Sequence, residues 1–150
     1  MVSPRADPVS RRGDRIELRI PSSAAYVGIA RRTVENVARQ LPFEREEVED
    51  IKLAVGEACN NAIKYGAEAN GRFPVTIRCI VRPHALQVEV RNYHPADEPR
   101  PTIDNTPDIT KEGGLGFCLM RQLVDRLEFV WGERFALVRL VKTFRESKTQ

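Results

Sequence analysis

Along residues 45–66 the apolar positions Val48, Ile51, Val55, Ala58 and Ala62 recur at steps of three and four, the stripe of an amphipathic helix packed on a core. An earlier stripe, Val27, Ala30, Val34, Val37 and Leu41, predicts a helix capped by Ser22 or Ser23 and separated from the next by Pro42. Arg31, Arg32, Glu35 and Arg39 lie mostly off that stripe, toward solvent or a partner. Elsewhere the period falls to two. Residues 15–20 alternate polar and apolar up to Pro21. Val75, Ile77, Cys79 and Val81 alternate with Thr76, Arg78 and Ile80, and Leu86, Val88 and Val90 with Gln87, Glu89 and Arg91. A Pro83-His84 turn between those runs predicts an antiparallel hairpin with one core-facing side. A third helix carries Leu115, Leu119, Leu123 and Leu127 at four-residue steps, and strands over 128–131 and 135–141 follow, joined by a turn at Gly132. The order β-α-α-β-β-loop-α-β-β does not alternate strictly, which disfavours a parallel doubly wound sheet. It predicts an α+β, two-layer sandwich: a mostly antiparallel, mixed sheet with helices on one face.

Three stretches fall outside these periods. Residues 1–14 read as a mobile basic tail and 145–150 as a frayed end, leaving one domain over 15–144. From Asn92 to Glu112 the pattern is lost and Pro95, Pro99, Pro101 and Pro107 intervene. A loop of that length inside a compact domain is a lid or a binding loop, placed here at 93–112.

Composition narrows the class. A chain of 150 residues, 41% hydrophobic and 30% charged, is an ordinary globular domain with a real core. A net charge of +3 is too mild to argue for nucleic acid. No apolar run approaches a membrane span or a signal-peptide core, so a cytoplasmic protein is expected. Cys59, Cys79 and Cys118 are odd in number and form no C-x-x-C pair, which reads as reduced, partly buried thiols rather than a zinc site.

Candidate chemistry sits at two places. Glu57 and Asn61 are four apart on one face of the long helix, and Asn60 and Lys64 lie on a neighbouring line. Polar groups mid-helix are either a solvated face or a site. The acids from Glu44 to Asp50 suit the positive end of the helix dipole and need no further role. The turn Gly113-Gly114-Leu115-Gly116 opens a helix; glycines there admit a ligand close to backbone N–H groups, and the helix start favours an anion such as phosphate. A glycine turn alone could be a simple hinge. Its coincidence with the Glu57/Asn61 face and a long loop points to a phosphate or nucleotide site.

The stretch Glu57-Ala-Cys-Asn-Asn61-Ala-Ile-Lys64-Tyr-Gly66 resembles the N-box of the GHKL (Bergerat-fold) ATPases, and Gly113-Gly-Leu-Gly-Phe-Cys-Leu-Met-Arg-Gln-Leu-Val-Asp125 resembles the glycine box in the form carried by RsbW/SpoIIAB-type anti-sigma factors. The likeness covers about residues 15–142. It implies a Bergerat sandwich that binds ATP with Mg²⁺, sequesters a sigma factor and phosphorylates a serine of a STAS-domain anti-anti-sigma protein. By resemblance Glu57 matches the general base, Asn61 the Mg²⁺ ligand, Lys64 a basic position that meets phosphate, and Gly113, Gly114, Leu115 and Gly116 the phosphate-cradling turn. Arg31 aligns with a first-helix arginine that relatives use to contact sigma factor. Where relatives carry Asp-x-Gly-x-Gly, this chain has Asn92-Tyr93-His94-Pro95-Ala96; the Asn92 amide oxygen can accept from the adenine amine without the charge. Relatives pair through the sheet region, so a homodimer is expected.

A second reading is a partner-binding switch module of the same fold with weak or no ATP turnover, motivated by the missing glycines after Asn92. A third, nucleic-acid binding by the N-terminal arginines, lacks a recognition helix or aromatic-studded strand.

Overall fold

The computed structural model describes residues 13–66, 73–93 and 114–145. Its elements are β1 (Arg15–Ile20), a 3₁₀ turn (Ala24–Tyr26), α1 (Val27–Ala38), α2 (Arg45–Gly66), β2 (Val75–Val81), β3 (Ala85–Tyr93), α3 (Gly114–Leu123), β4 (Arg126–Trp131) and β5 (Phe135–Thr143). The strands form one sheet in the order β1-β2-β3-β5-β4. The element order predicts a mostly antiparallel, mixed sheet, and all four described pairings are antiparallel. The helices cover one face.

Side chains satisfy free N–H groups at the 3₁₀ turn that leads into α1 and at the start of α2. Ser23 Oγ accepts from the Ala25 N–H at the turn before α1. At α2 the Glu47 carboxylate reaches back to accept from the Glu44 N–H at 2.8 Å, one half of a capping box. Both expected stripes are buried: Val27, Ala30, Val34, Val37 and Leu41 from the first, and Val48, Ile51, Val55, Ala58 and Ala62 from the second. They meet Val75, Ile77, Cys79, Val81, Leu86, Val88 and Val90 of the sheet in a single core. Lys52 on α2 pairs with Glu35 of α1 at 3.5 Å and with Glu49 at 3.1 Å, fixing the two helices side by side. Phe43, in the link between them, packs edge-on to Phe144 beyond β5 with ring centroids 5.3 Å apart.

Three boundaries shift from their expected places. The third helix does not run on to Leu127: it ends at Leu123, and Leu127 lies in β4, which begins at Arg126 because its pairing with β5 claims that residue. β3 does not stop where the hydrophobic alternation stops but continues through Asn92 and Tyr93, which pair with Ala136 and Phe135 of β5. The side-chain pattern starts the loop at Tyr93; the partner strand extends the ladder past the point where that pattern can show it. At the other end, Gly13 and Asp14 belong by sequence to the tail, yet the Gly13 N–H donates to Val81 O at 2.6 Å and Asp14 O accepts from the Val81 N–H at 2.9 Å. Residues 1–12, 94–113 and 146–150, which hold the rest of the expected tail, lid and frayed end, lie outside the described residues.

Candidate functional site

The long helix α2 lies on β3, and α3 packs beside α2. Met120, fully buried, anchors α3 in the core. Phe117 stacks on Phe129 of β4 with centroids 5.0 Å apart, and the Arg121 guanidinium covers the Phe117 ring. At its far end the Lys142 ammonium donates to Leu123 O at 2.7 Å and so satisfies one of the last carbonyls of α3. These contacts fix where the first turn of α3 sits.

That turn meets Glu57. A Cβ placed on Gly116 would lie 2.5 Å from Glu57 Oε2 and 3.5 Å from its carboxyl carbon. Thus the carboxylate of the helical face and the glycine-rich turn, 59 positions apart in sequence, are in contact. Gly116 is glycine because the Glu57 carboxylate occupies the space a side chain would need. Glu57 and Asn61 are both half-buried on α2, neither solvated freely nor sealed in the core. Lys64 is exposed one turn beyond Asn60.

Asn92 is buried, 9% exposed, on β3. Strand alternation puts it on the same face as Val88 and Val90, beneath the helices and on the site's side of the sheet. Gly114 and Leu115 form the first residues of α3. Gly113, the remaining candidate of the turn, lies outside the described residues.

Arg31, expected to be an exposed residue of α1, is exposed, but its stem lies across α2: a Cβ on Gly56 would sit 3.2 Å from Arg31 Cδ. Gly56, immediately before Glu57, makes room for the Arg31 stem, a contact that sequence reasoning misses; its signal is a glycine inside a strongly helical run, which costs stability unless something needs the space. Among the described residues no group of three or more His, Cys, Asp or Glu could hold a metal ion. The donors available are those of Asn61 and Glu57, both hard oxygens. Mg²⁺ is commonly held by one or two protein oxygens with substrate phosphates supplying others, so this donor set fits that ion in company with a nucleotide.

The cysteines take no part. Cys59 and Cys79 are free and buried, and burial pushes both thiols up to about 12. No described helix is long and apolar enough to cross a membrane.

A two-layer α+β sandwich that brings a helical Glu/Asn face onto a glycine turn is the arrangement of a nucleotide-binding ATPase domain. Residues 20–142 match the histidine kinase-like ATPase domain, and the chain belongs to that family. It is 35% identical to the serine-protein kinase RsbW of Bacillus subtilis over 122 residues, covering 76% of each chain, and 36% identical to the enzyme of the same name from Bacillus pumilus over 125 residues, covering 77% of each. Among solved structures it resembles the RsbU and RsbW domains of a Mycobacterium tuberculosis protein with a TM-score of 0.64 at 11% identity, over 87% of this chain and 32% of that one. It also resembles a chain of the Pseudomonas aeruginosa SiaB–SiaC complex, with a TM-score of 0.59 at 12% identity over 84% of this chain and 88% of that one. At such identities the structural likeness speaks to fold alone.

Proposed function

We propose that this protein is an ATP-dependent protein serine kinase and anti-sigma factor that works in the cytoplasm, holding a sigma factor and phosphorylating a STAS-domain anti-anti-sigma protein. The observation that carries the reading is the contact of the Glu57 carboxylate with Gly116, which joins the two halves of the resemblance in one site. The serine-protein kinase name of its relatives supports the enzymatic side over a module without turnover.

Each residue has a task suited to its chemistry. Glu57 accepts the proton of the partner serine as the serine oxygen bonds to the γ-phosphorus and the bond to the β–γ bridging oxygen breaks, releasing ADP. Asn61 offers its amide oxygen to Mg²⁺, which when bound neutralises charge on the phosphates. Lys64 supplies a cation for phosphate. The N–H groups at the start of α3, opened by Gly113, Gly114 and Gly116 with Leu115 between them, receive the phosphate chain. Asn92 accepts from the adenine amine. Arg31, held over Gly56, presents its guanidinium to sigma factor, and two copies of the chain form the working unit.

The test is transfer of labelled phosphate from ATP to a purified STAS-domain partner. The Glu57→Ala variant is expected to bind a nucleotide analogue as the natural protein does and to transfer about 100-fold more slowly or worse, the usual contribution of a positioned base. Transfer at an unchanged rate in that variant would remove Glu57 from the chemistry.

A further inference from the structure

Three large apolar side chains stand out into solvent among the described residues: Tyr26 at 40%, Ile29 at 46% and Leu53 at 48% exposed. A single exposed apolar residue is ordinary on a protein surface. Position sets Leu53 apart. It lies four residues before Glu57 on α2, so the two side chains stand one above the other on one line of the helix, about 6 Å apart along its axis. The core makes no use of it, since α2 packs on the sheet through the stripe of Val48, Ile51, Val55, Ala58 and Ala62.

The flanks of Glu57 differ. On one, the first turn of α3 brings Gly116 against its carboxylate. On another, the Arg31 stem lies over Gly56. Asn61, assigned to the metal and its phosphates, stands one turn further toward the C-terminal end of α2. Phosphoryl transfer runs in line, with the entering oxygen on the far side of phosphorus from the leaving one. With the phosphate chain on the side of Asn61 and Gly116, the acceptor hydroxyl comes to Glu57 from the side of Leu53.

We infer that Leu53 is a specificity-determining residue for the protein acceptor, an apolar anchor covered by an apolar side chain that neighbours the phosphorylated serine. A hydroxyl within hydrogen-bonding reach of Glu57 sets the register of the residues beside it. In an extended acceptor segment the residue two places from the serine lies on the same side, roughly 6.6 Å away. In a helical segment the residue four places away does so, about 6 Å along the axis. Either spacing matches that of Leu53 and Glu57. The acceptor chemistry is therefore a serine with Leu, Ile, Val or Met at one of those places; a charged side chain there would lose water against Leu53 and gain no partner. The assignment rests on the kinase reading, because the base fixes where the acceptor arrives. Ile29 has no such part: it stands two residues from Arg31, about 200° round α1 from the side that meets α2.

The experiment follows a purified STAS-domain acceptor in two ways, by the kinetics of phosphate transfer from ATP and by surface plasmon resonance with a non-hydrolysable ATP analogue present. The natural protein is compared with Leu53→Ala, Leu53→Met and Ile29→Ala, and melting temperatures check each fold. Leu53→Ala is expected to raise the KM for the acceptor and weaken its binding by about tenfold. Its kcat should hold, because an anchor that serves ground and transition states alike acts on KM. Leu53→Met, apolar and of similar volume, should recover most of the loss, and Ile29→Ala should match the natural protein. Truncating the acceptor's apolar residue two or four places from the serine should cost the natural protein about as much and add nothing in Leu53→Ala. Nucleotide-analogue affinity should be the same throughout. Transfer by the natural protein with KM and binding unchanged in Leu53→Ala would overturn the assignment and leave the kinase reading standing. An equal loss in Ile29→Ala, no recovery in Leu53→Met, no coupling to either acceptor position, or weaker nucleotide binding in Leu53→Ala would overturn it too, the last by giving Leu53 to the nucleotide. Acceptor binding that depends on Leu53 without any transfer would sink the kinase reading and keep the anchor. Absence of acceptor binding by the natural protein would sink both.

Discussion

Glu57 Oε2 lies 2.5 Å from the point where a Gly116 side chain would begin. A methyl group at Gly116 must therefore move the carboxylate, and a carboxylate at the end of a flexible stem moves without disturbing the fold. Alanine in a helix is also favoured over glycine by roughly 0.5–1 kcal/mol. Gly116→Ala is expected to keep or raise the melting temperature while lowering phosphotransfer by about 100-fold, the scale of a 1 Å misplacement. Stability and transfer rate measured on one preparation check this; an unchanged rate would mean that the carboxylate's position does not matter.

At Gly56 the neighbour is the Arg31 stem, 3.2 Å from where a methyl carbon would stand. Gly56→Ala should therefore resemble Arg31→Ala in a binding assay: both weaken capture of sigma factor, by about tenfold for a charged contact residue, and neither changes nucleotide affinity. Surface-immobilised sigma factor provides the readout.

Glu89 stands at the middle of an ion-pair ladder that crosses the sheet as Glu17, Arg78, Glu89, Arg139 and Glu128, accepting from Gln87 and Arg139. Removing it takes the shared partner from two guanidinium groups that are only 30% exposed, leaving Arg78 to Glu17 and Arg139 to Glu128, and leaves the buried Gln87 amide without its acceptor. Glu89→Ala is expected to lower stability by about 1–3 kcal/mol. Urea unfolding with an unchanged slope is the measurement.

At the ladder's edge, the hydrogen bond from Arg78 holds the Glu17 carboxyl below its ordinary value of 4.5. A carboxyl depressed on folding stabilises above its unfolded value, and that contribution is lost as pH falls through the folded one. The melting temperatures of the natural protein and Glu17→Gln should accordingly differ at pH 7 and converge in acid below the 4.5 mark.

Burial that raises Cys59 and Cys79 to about 12 from an ordinary 9.0 predicts that a thiol reagent at pH 8 labels Cys118 first, and the other two only after unfolding. The sign of the pH effect is opposite to that of Glu17. The neutral thiols stabilise below about 9, and the benefit drains away as pH rises toward 12 because only the unfolded thiols ionise. Mass spectrometry of the labelled protein tells the three apart.

The helices and the core are legible in the sequence because their signals are local. The stripes ending at Leu41 and Ala62 are periods of one segment, and the alternation at Val75–Val81 needs no partner to be seen. Glu57 and Asn61 are legible for the same reason, lying four apart on one helix. What sequence alone cannot show depends on register. Glu17, Arg78, Glu89, Arg139 and Glu128 are each visible as polar residues of a strand, but their alternating row exists only once four pairings align them. The extension of β3 through Asn92 likewise depends on β5. Gly56 and Gly116 look in sequence like a helix defect and a turn; their reasons, Arg31 and Glu57, come from other elements.

The most direct measurement is calorimetric titration of the full chain with a non-hydrolysable ATP analogue and Mg²⁺, beside the Asn61→Ala variant. Micromolar binding by the natural protein, weakened at least about tenfold in the variant, is the predicted result; it would show Asn61 serving the metal–nucleotide complex and Asn92 admitting the base without a carboxylate. Absence of saturable binding in both proteins at millimolar analogue would contradict the account and leave a fold that holds partners without nucleotide.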